Sequence, residues 1–185
     1  LGAPDVVRDV TLNEEMSANA DVPIHADLGT GAAGALGWDD ELTEICYTGD
    51  VEEWRVLNLT GDAHPIHIHI NFFQVLGRQP FNAAAYQAAQ NLFLVNAGPK
   101  PDPLDYVTGP ERLPESWESG WKDTLIAYPD EITRLAIRFD IPGLTVWHCH
   151  ILEHEDNEMM RPLLVLEKTH LPFIANGEAP PAEGG

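Results

Sequence analysis

The residues best suited to chemistry lie in the run His148-Cys149-His150, continued by His154 and Met159 in HCHILEHEDNEMM. In an extended segment successive side chains point to opposite faces. His148 and His150 therefore share one face, and Cys149 projects from the other. Cys149, His154 and Met159 offer a thiolate, an imidazole and a weak thioether, which with one more imidazole is the ligand set of a blue-copper electron-transfer site. That imidazole is available upstream, in His64-Pro65-Ile66-His67-Ile68-His69. His67 and His69 are two apart and face the same way on a strand, whereas His64 is an odd number from both and tends to the opposite face. The two motifs thus divide their side chains alike. His64, Cys149, His154 and Met159 form one set, while His67, His69, His148 and His150 form an all-imidazole set suited to further copper ions.

HPIHIH followed by HCHILEHEDNEMM closely resembles the two C-terminal copper signatures of the multicopper oxidases, most nearly the bacterial laccase and bilirubin-oxidase type. The likeness runs through Gly120-Trp121-Lys122-Asp123-Thr124 and covers residues 36–167. It implies an all-β, cupredoxin-like Greek-key sandwich. It also implies that His64, Cys149, His154 and Met159 hold a type 1 copper, His67 a type 2 copper, and His69, His148 and His150 the paired type 3 coppers, four coppers in a complete assembly. Electrons from a small reducing substrate would pass from the type 1 site through Cys149 to His148 and His150, and on to O2. Glu155 follows a ligand directly; it is either a proton relay near the oxygen path or a solvent-exposed acid.

The chain also departs from that family. A complete oxidase carries two further His-x-His motifs, and none occurs here outside the two runs above; His25 and His170 stand alone. Four of the cluster's eight imidazoles are present, so complementary N-terminal cupredoxin domains are expected as partners. With Leu1 at its start and no signal-peptide pattern, the chain reads as the C-terminal product of a longer precursor or as one subunit of a split enzyme.

Other readings compete at specific residues. His150 and His154 have the spacing of a helical zinc pair, but zinc does not account for the parity of His64 against His67 and His69. A nitrite reductase would not need histidines on both sides of Cys149. A single-copper electron-transfer module remains an alternative to the oxidase, as does a metal-ion oxidase.

Composition narrows the field further. Thirty acidic residues against ten basic ones give a formal net charge of −20. Nucleic acid, which calls for a basic face, is excluded as a partner. The acidity suits either a solvated surface or adaptation to high salt. No apolar run is long enough to span a membrane. Of two cysteines, Cys46 is left as a buried small hydrophobe or as a disulfide partner for a missing part, the latter fitting an extracytoplasmic, secreted protein. Asn58-Leu59-Thr60 is a glycosylation sequon placed on a strand.

The elements that must position these groups read as short strands at 52–59, 67–76, 124–127, 132–139, 145–149 and 162–167. In 132–139, Leu135, Ile137 and Phe139 alternate with Arg134 and Arg138. Residues 1–35 show one strand at 6–12 and no motif, and read as a crossing segment from a preceding domain. Residues 82–121 form a long Pro-rich insertion with a short helix over 83–90, which either covers the type 1 site or packs on a neighbouring domain. Residues 168–185 read as a flexible tail.

Overall fold

A computed structural model describes residues 1–19 and 23–168. The expected tail and His170 lie outside the described residues from 169 onward. Among the described residues, eleven strands form two mixed sheets packed face to face. They are β1 (Val6–Met16), β2 (Pro23–Thr30), β3 (Gly34–Leu36), β4 (Glu44–Tyr47), β5 (Val51–Asn58), β6 (His64–Ile68), β7 (Phe73–Pro80), β8 (Thr124–Ala127), β9 (Glu131–Arg138), β10 (Gly143–Cys149) and β11 (Met160–Leu166). The six-stranded sheet runs β3-β2-β1-β5-β9-β7, and the five-stranded sheet runs β4-β11-β10-β6-β8. This is the all-β sandwich that the alternating apolar pattern predicts.

Alternation explains the core. Leu135, Ile137 and Phe139 are fully buried, whereas Arg138 is exposed. Trp54 on β5 packs edge-on against Trp147 on β10, ring centres 5.4 Å apart, joining the two sheets. Val10, Leu12, Ile66, Ile68, Cys149 and Met159 belong to the same buried cluster. The core therefore reaches the end of β10 where the copper-type ligands begin.

Three sequence expectations change. In residues 1–35, read as a crossing segment with one strand at 6–12, the described residues add more strands: β1, β2 and β3 make half of the larger sheet, and β1 runs parallel to β5 from Val6 opposite Glu52 to Leu12 opposite Asn58. The short-range pattern missed β2 and β3 because their partners, not their own composition, hold them extended. The expected strand 67–76 is two strands in different sheets, β6 and β7. Ile70 adopts φ 69° and the Asn71 N–H donates to the His69 carbonyl at 2.7 Å, turning the chain between them. Finally, the insertion packs on the chain's own larger sheet. Its helix α1 (Ala83–Leu94), capped by the Asn82 side chain, buries Ala83, Tyr86 and Gln90. Tyr86 clusters with Leu57, Phe81 and Ile132.

The far end of the insertion is held by charge. Arg78 on β7 donates two hydrogen bonds to Glu118, at 2.6 and 2.5 Å, and a third to the Ile126 carbonyl at 2.8 Å. Both side chains are buried, so each charge depends on the other for its solvation. All seven arginines of this acid-rich chain are in ion pairs.

Candidate metal centre

The inner face of the smaller sheet gathers one set of predicted ligands. His64 opens β6 and Cys149 closes β10; both side chains point into the sandwich and are fully buried. Cys149 Sγ lies 3.6 Å from His64 Nδ1 and 3.9 Å from His154 Nδ1, and the two nitrogens are 3.3 Å apart. Three ligand atoms at about 2.1 Å from one ion and about 120° apart would stand about 3.6 Å from each other. Burial, and secondarily His154, pushes His64 down to about 4. Burial pushes the Cys149 thiol up to about 11. Two imidazoles and a thiol facing one buried point leave lone pairs unmatched, which a bound cation would satisfy. The donor set fits copper.

The loop after β10 completes this set. A short helix, α2 (Leu152–Glu155), carries His154 towards Cys149. The next residue of a helix points about 100° away, and Glu155 turns to the other cluster. Met159 is fully buried, and its backbone is locked beside the site: Cys149 N–H donates to the Met159 carbonyl, and Met159 N–H to that of His154, both at 3.0 Å. Met160 is half-buried at the start of β11 and lies outside the main core cluster. The 37–41 segment braces the loop, since the Trp38 N–H donates to the Glu158 carboxylate at 2.8 Å.

The outer face gathers the second set. His67 sits opposite His148 in the β6–β10 register. The Nε2 atoms of His69 and His148 are 3.0 Å apart, and ligand atoms of His67, His69 and His148 all lie within 4.8 Å of one another. Backbone carbonyls orient two of these rings. His67 Nδ1–H donates to the Asp123 carbonyl at 2.8 Å, and His148 Nδ1–H to that of Cys149 at 3.0 Å, which leaves Nε2 of each free. His150 is exposed; its ring centre lies 5.5 Å from that of His148, about as near as the ring of His67, but its ligand atoms fall outside the mutually close set of the trio. Glu155 lies 3.3 Å from His148 Nδ1 and 3.6 Å from His150 Nδ1, and its buried Oε2 has no hydrogen-bond partner among the described residues.

Sequence reasoning missed two residues of the inner site. Glu14 on β1 and Thr60 in the β5–β6 loop both approach His64 Nε2. The only sequence signal there was the sequon. Asn58 of that sequon is fully buried, its amide donating to the Asp62 and Ala127 carbonyls. Cys46 is fully buried on β4, and His25 is exposed, away from both clusters.

A two-sheet sandwich holding a buried His-Cys-His triad, with histidines on the opposite face of the same two strands, is a cupredoxin-like fold with donors suited to a metal. The family model described as multicopper oxidase matches residues 10–169, and the chain belongs to that family. It is 43% identical over 127 residues to a laccase of Bacillus subtilis, covering 68% of this chain and 22% of that protein. A laccase of Haloferax volcanii is 32% identical over 156 residues, covering 84% of this chain and 19% of that protein. Among solved structures, a multicopper oxidase from Campylobacter jejuni described as a metallo-oxidase superposes with a TM-score of 0.64 at 22% identity, covering 91% of this chain and 31% of that one. The chain thus spans about a quarter or less of the length of the curated laccases it matches. Among the described residues no helix is long and apolar enough to cross a membrane.

Proposed function

We propose that this chain is the C-terminal cupredoxin part of a laccase-like multicopper oxidase. Such an enzyme couples one-electron oxidation of phenolic, aromatic or similar reductants to the reduction of O2 to water. The observation that carries this reading is the placement of Cys149: its sulfur closes the buried triad, while the residues on either side of it, His148 and His150, face the outer cluster.

In this reading His64, Cys149, His154 and Met159 hold the type 1 copper, His67 the type 2 copper, and His69, His148 and His150 the type 3 pair. Bound copper would supply the one-electron redox chemistry that none of these side chains has. The chain's own residues do the rest. β6 and β10 hold the two ligand sets on opposite faces of one sheet, so the covalent path between them is the short backbone around Cys149. The buried walls of the triad exclude water from the sulfur. The Asp123 and Cys149 carbonyls hold His67 and His148 in the tautomer that presents Nε2. Glu155, with a free oxygen beside His148 and His150, is placed to hold a proton at that edge.

The outer cluster has four imidazoles and an open side, which supports partners that bring the other His-x-His motifs. An extracytoplasmic location follows from the same reading. The completeness of the inner triad alone favours a second reading, a single-copper electron-transfer module. Copper per assembly, intact masses and the visible spectrum of the purified protein separate the two. About four coppers, a blue band and a second segment with two His-x-His motifs support the oxidase. One copper with a blue band and no second segment supports the module.

A further inference from the structure

His64 uses only one ring nitrogen for the buried triad. Nδ1 faces Cys149 and His154, while Nε2 points the other way, 2.7 Å from Thr60 Oγ1 and 3.4 Å from Glu14 Oε1. The hydrogen bonds of Thr60 can be counted. The Asn58 side-chain nitrogen donates to two carbonyls, so its Oδ1 is an acceptor. Thr60 Oγ1 lies 2.9 Å from that Oδ1 and 3.2 Å from the Asp62 carbonyl. Asn58 Oδ1 also accepts the Thr60 N–H at 2.9 Å, and the one hydroxyl hydrogen lies towards these two oxygens, because facing both without it would leave lone pairs opposed. The hydroxyl oxygen is then left to accept, from the Asp62 N–H at 3.2 Å and from His64 Nε2.

Glu14 points to the same assignment. Its side chain is 4% exposed, and its Oε1 has no hydrogen-bond partner of normal geometry among the described residues. A carboxylate oxygen facing an Nε2 lone pair would be repelled, and facing Nε2–H it is attracted. Glu14 reaches this point through the fold. The Leu59 N–H donates to the Leu12 carbonyl at 3.1 Å, clamping the β5–β6 loop onto β1. Glu14, two residues beyond Leu12, shares its inward face.

We propose that Glu14 and Thr60 are positioning residues that hold His64 as the Nε2–H tautomer, with the Nδ1 lone pair aimed at the buried triad. Outer partners of this kind fix the ring orientation and basicity of a metal-binding histidine. The tautomer is a property of the metal-free chain; only its consequence for copper rests on the function proposed above.

The test is nitrogen-15 NMR of the histidine rings in the metal-free chain, followed by copper titration. The parent chain is expected to show His64 protonated at Nε2 only. Thr60→Val and Glu14→Gln are expected to mix in the Nδ1–H form and to weaken copper binding at the triad about tenfold or more. Thr60→Ser is expected to restore both, with far-UV circular dichroism unchanged throughout. A parent His64 protonated at Nδ1, or variants with unaltered tautomer and affinity, would overturn the proposal. A chain with the Nε2–H tautomer that takes up copper without a blue band upholds the positioning and overturns the type 1 assignment, so the two failures are distinguishable.

Discussion

The two faces of the smaller sheet carry the same side chain, imidazole, to opposite effect. On the inner face His64 is fully buried, sealed by core residues and met by Cys149 at 3.6 Å and His154 at 3.3 Å. On the outer face His150 is 55% exposed and His67 is half-buried, while His148 is buried at the sheet; no thiol is in this set. The two faces thus differ both in burial and in the thiol that only the inner set holds. The fold itself desolvates the donors of the buried triad, whereas the exposed edge at His150 stays open to further donors.

The largest expected effect comes from removing the one atom the inner site cannot replace. Cys149→Ser should abolish any blue absorption and all oxidase activity, while copper uptake by the outer histidines persists. Loss of both metal populations, read by copper analysis, would show that the two faces are not separable.

A stability contrast comes next. Ile66 is buried between the sheets beside the triad, so Ile66→Ala should cost about 2–5 kcal/mol by transfer and cavity terms. An equal melting shift from an outer-face variant would contradict the difference in packing.

Acid should also act on the inner face. Burial lowers His64 from its ordinary 6.5 to about 4 in the folded metal-free chain. The unfolded chain therefore binds the extra proton first, and stability falls as pH drops from about 6.5 to about 4, by on the order of 3 kcal/mol. Denaturant titrations of the metal-free chain across that window should show the loss, and a His64→Gln variant should lack most of it.

The smallest effect belongs to the outer rim. His150→Ala removes an exposed ring and should change folding stability by no more than about 0.5 kcal/mol. It should still weaken metal binding at the outer cluster. A large drop in melting temperature would mean that His150 is part of the packing.

Much of the candidate site was legible in the chain because its signal is local. The parity of His64 against His67 and His69, and of Cys149 against His148 and His150, follows from the two-residue period of any extended strand. β6 and β10 keep it, with His67 opposite His148 across their antiparallel register. The sharper boundaries were not legible. Residues 67–76 look like one apolar run, yet the positive φ at Ile70 sends its halves to different sheets. The insertion's prolines gave no hint that Glu118 would find Arg78, 40 residues away in sequence.

By itself, then, the sequence determined the ligand types, their division between two faces and the acidic balance, because these depend on residue identity and strand periodicity. Only the tertiary structure decided that β1 to β3 belong to the sandwich, that the ligand atoms of His150 fall outside the close set of the trio, and that Glu14 and Thr60 meet the far nitrogen of His64. Those outcomes depend on which strands pair and in what register. That choice is made by packing across the whole core and leaves no periodic trace in the residues it brings together.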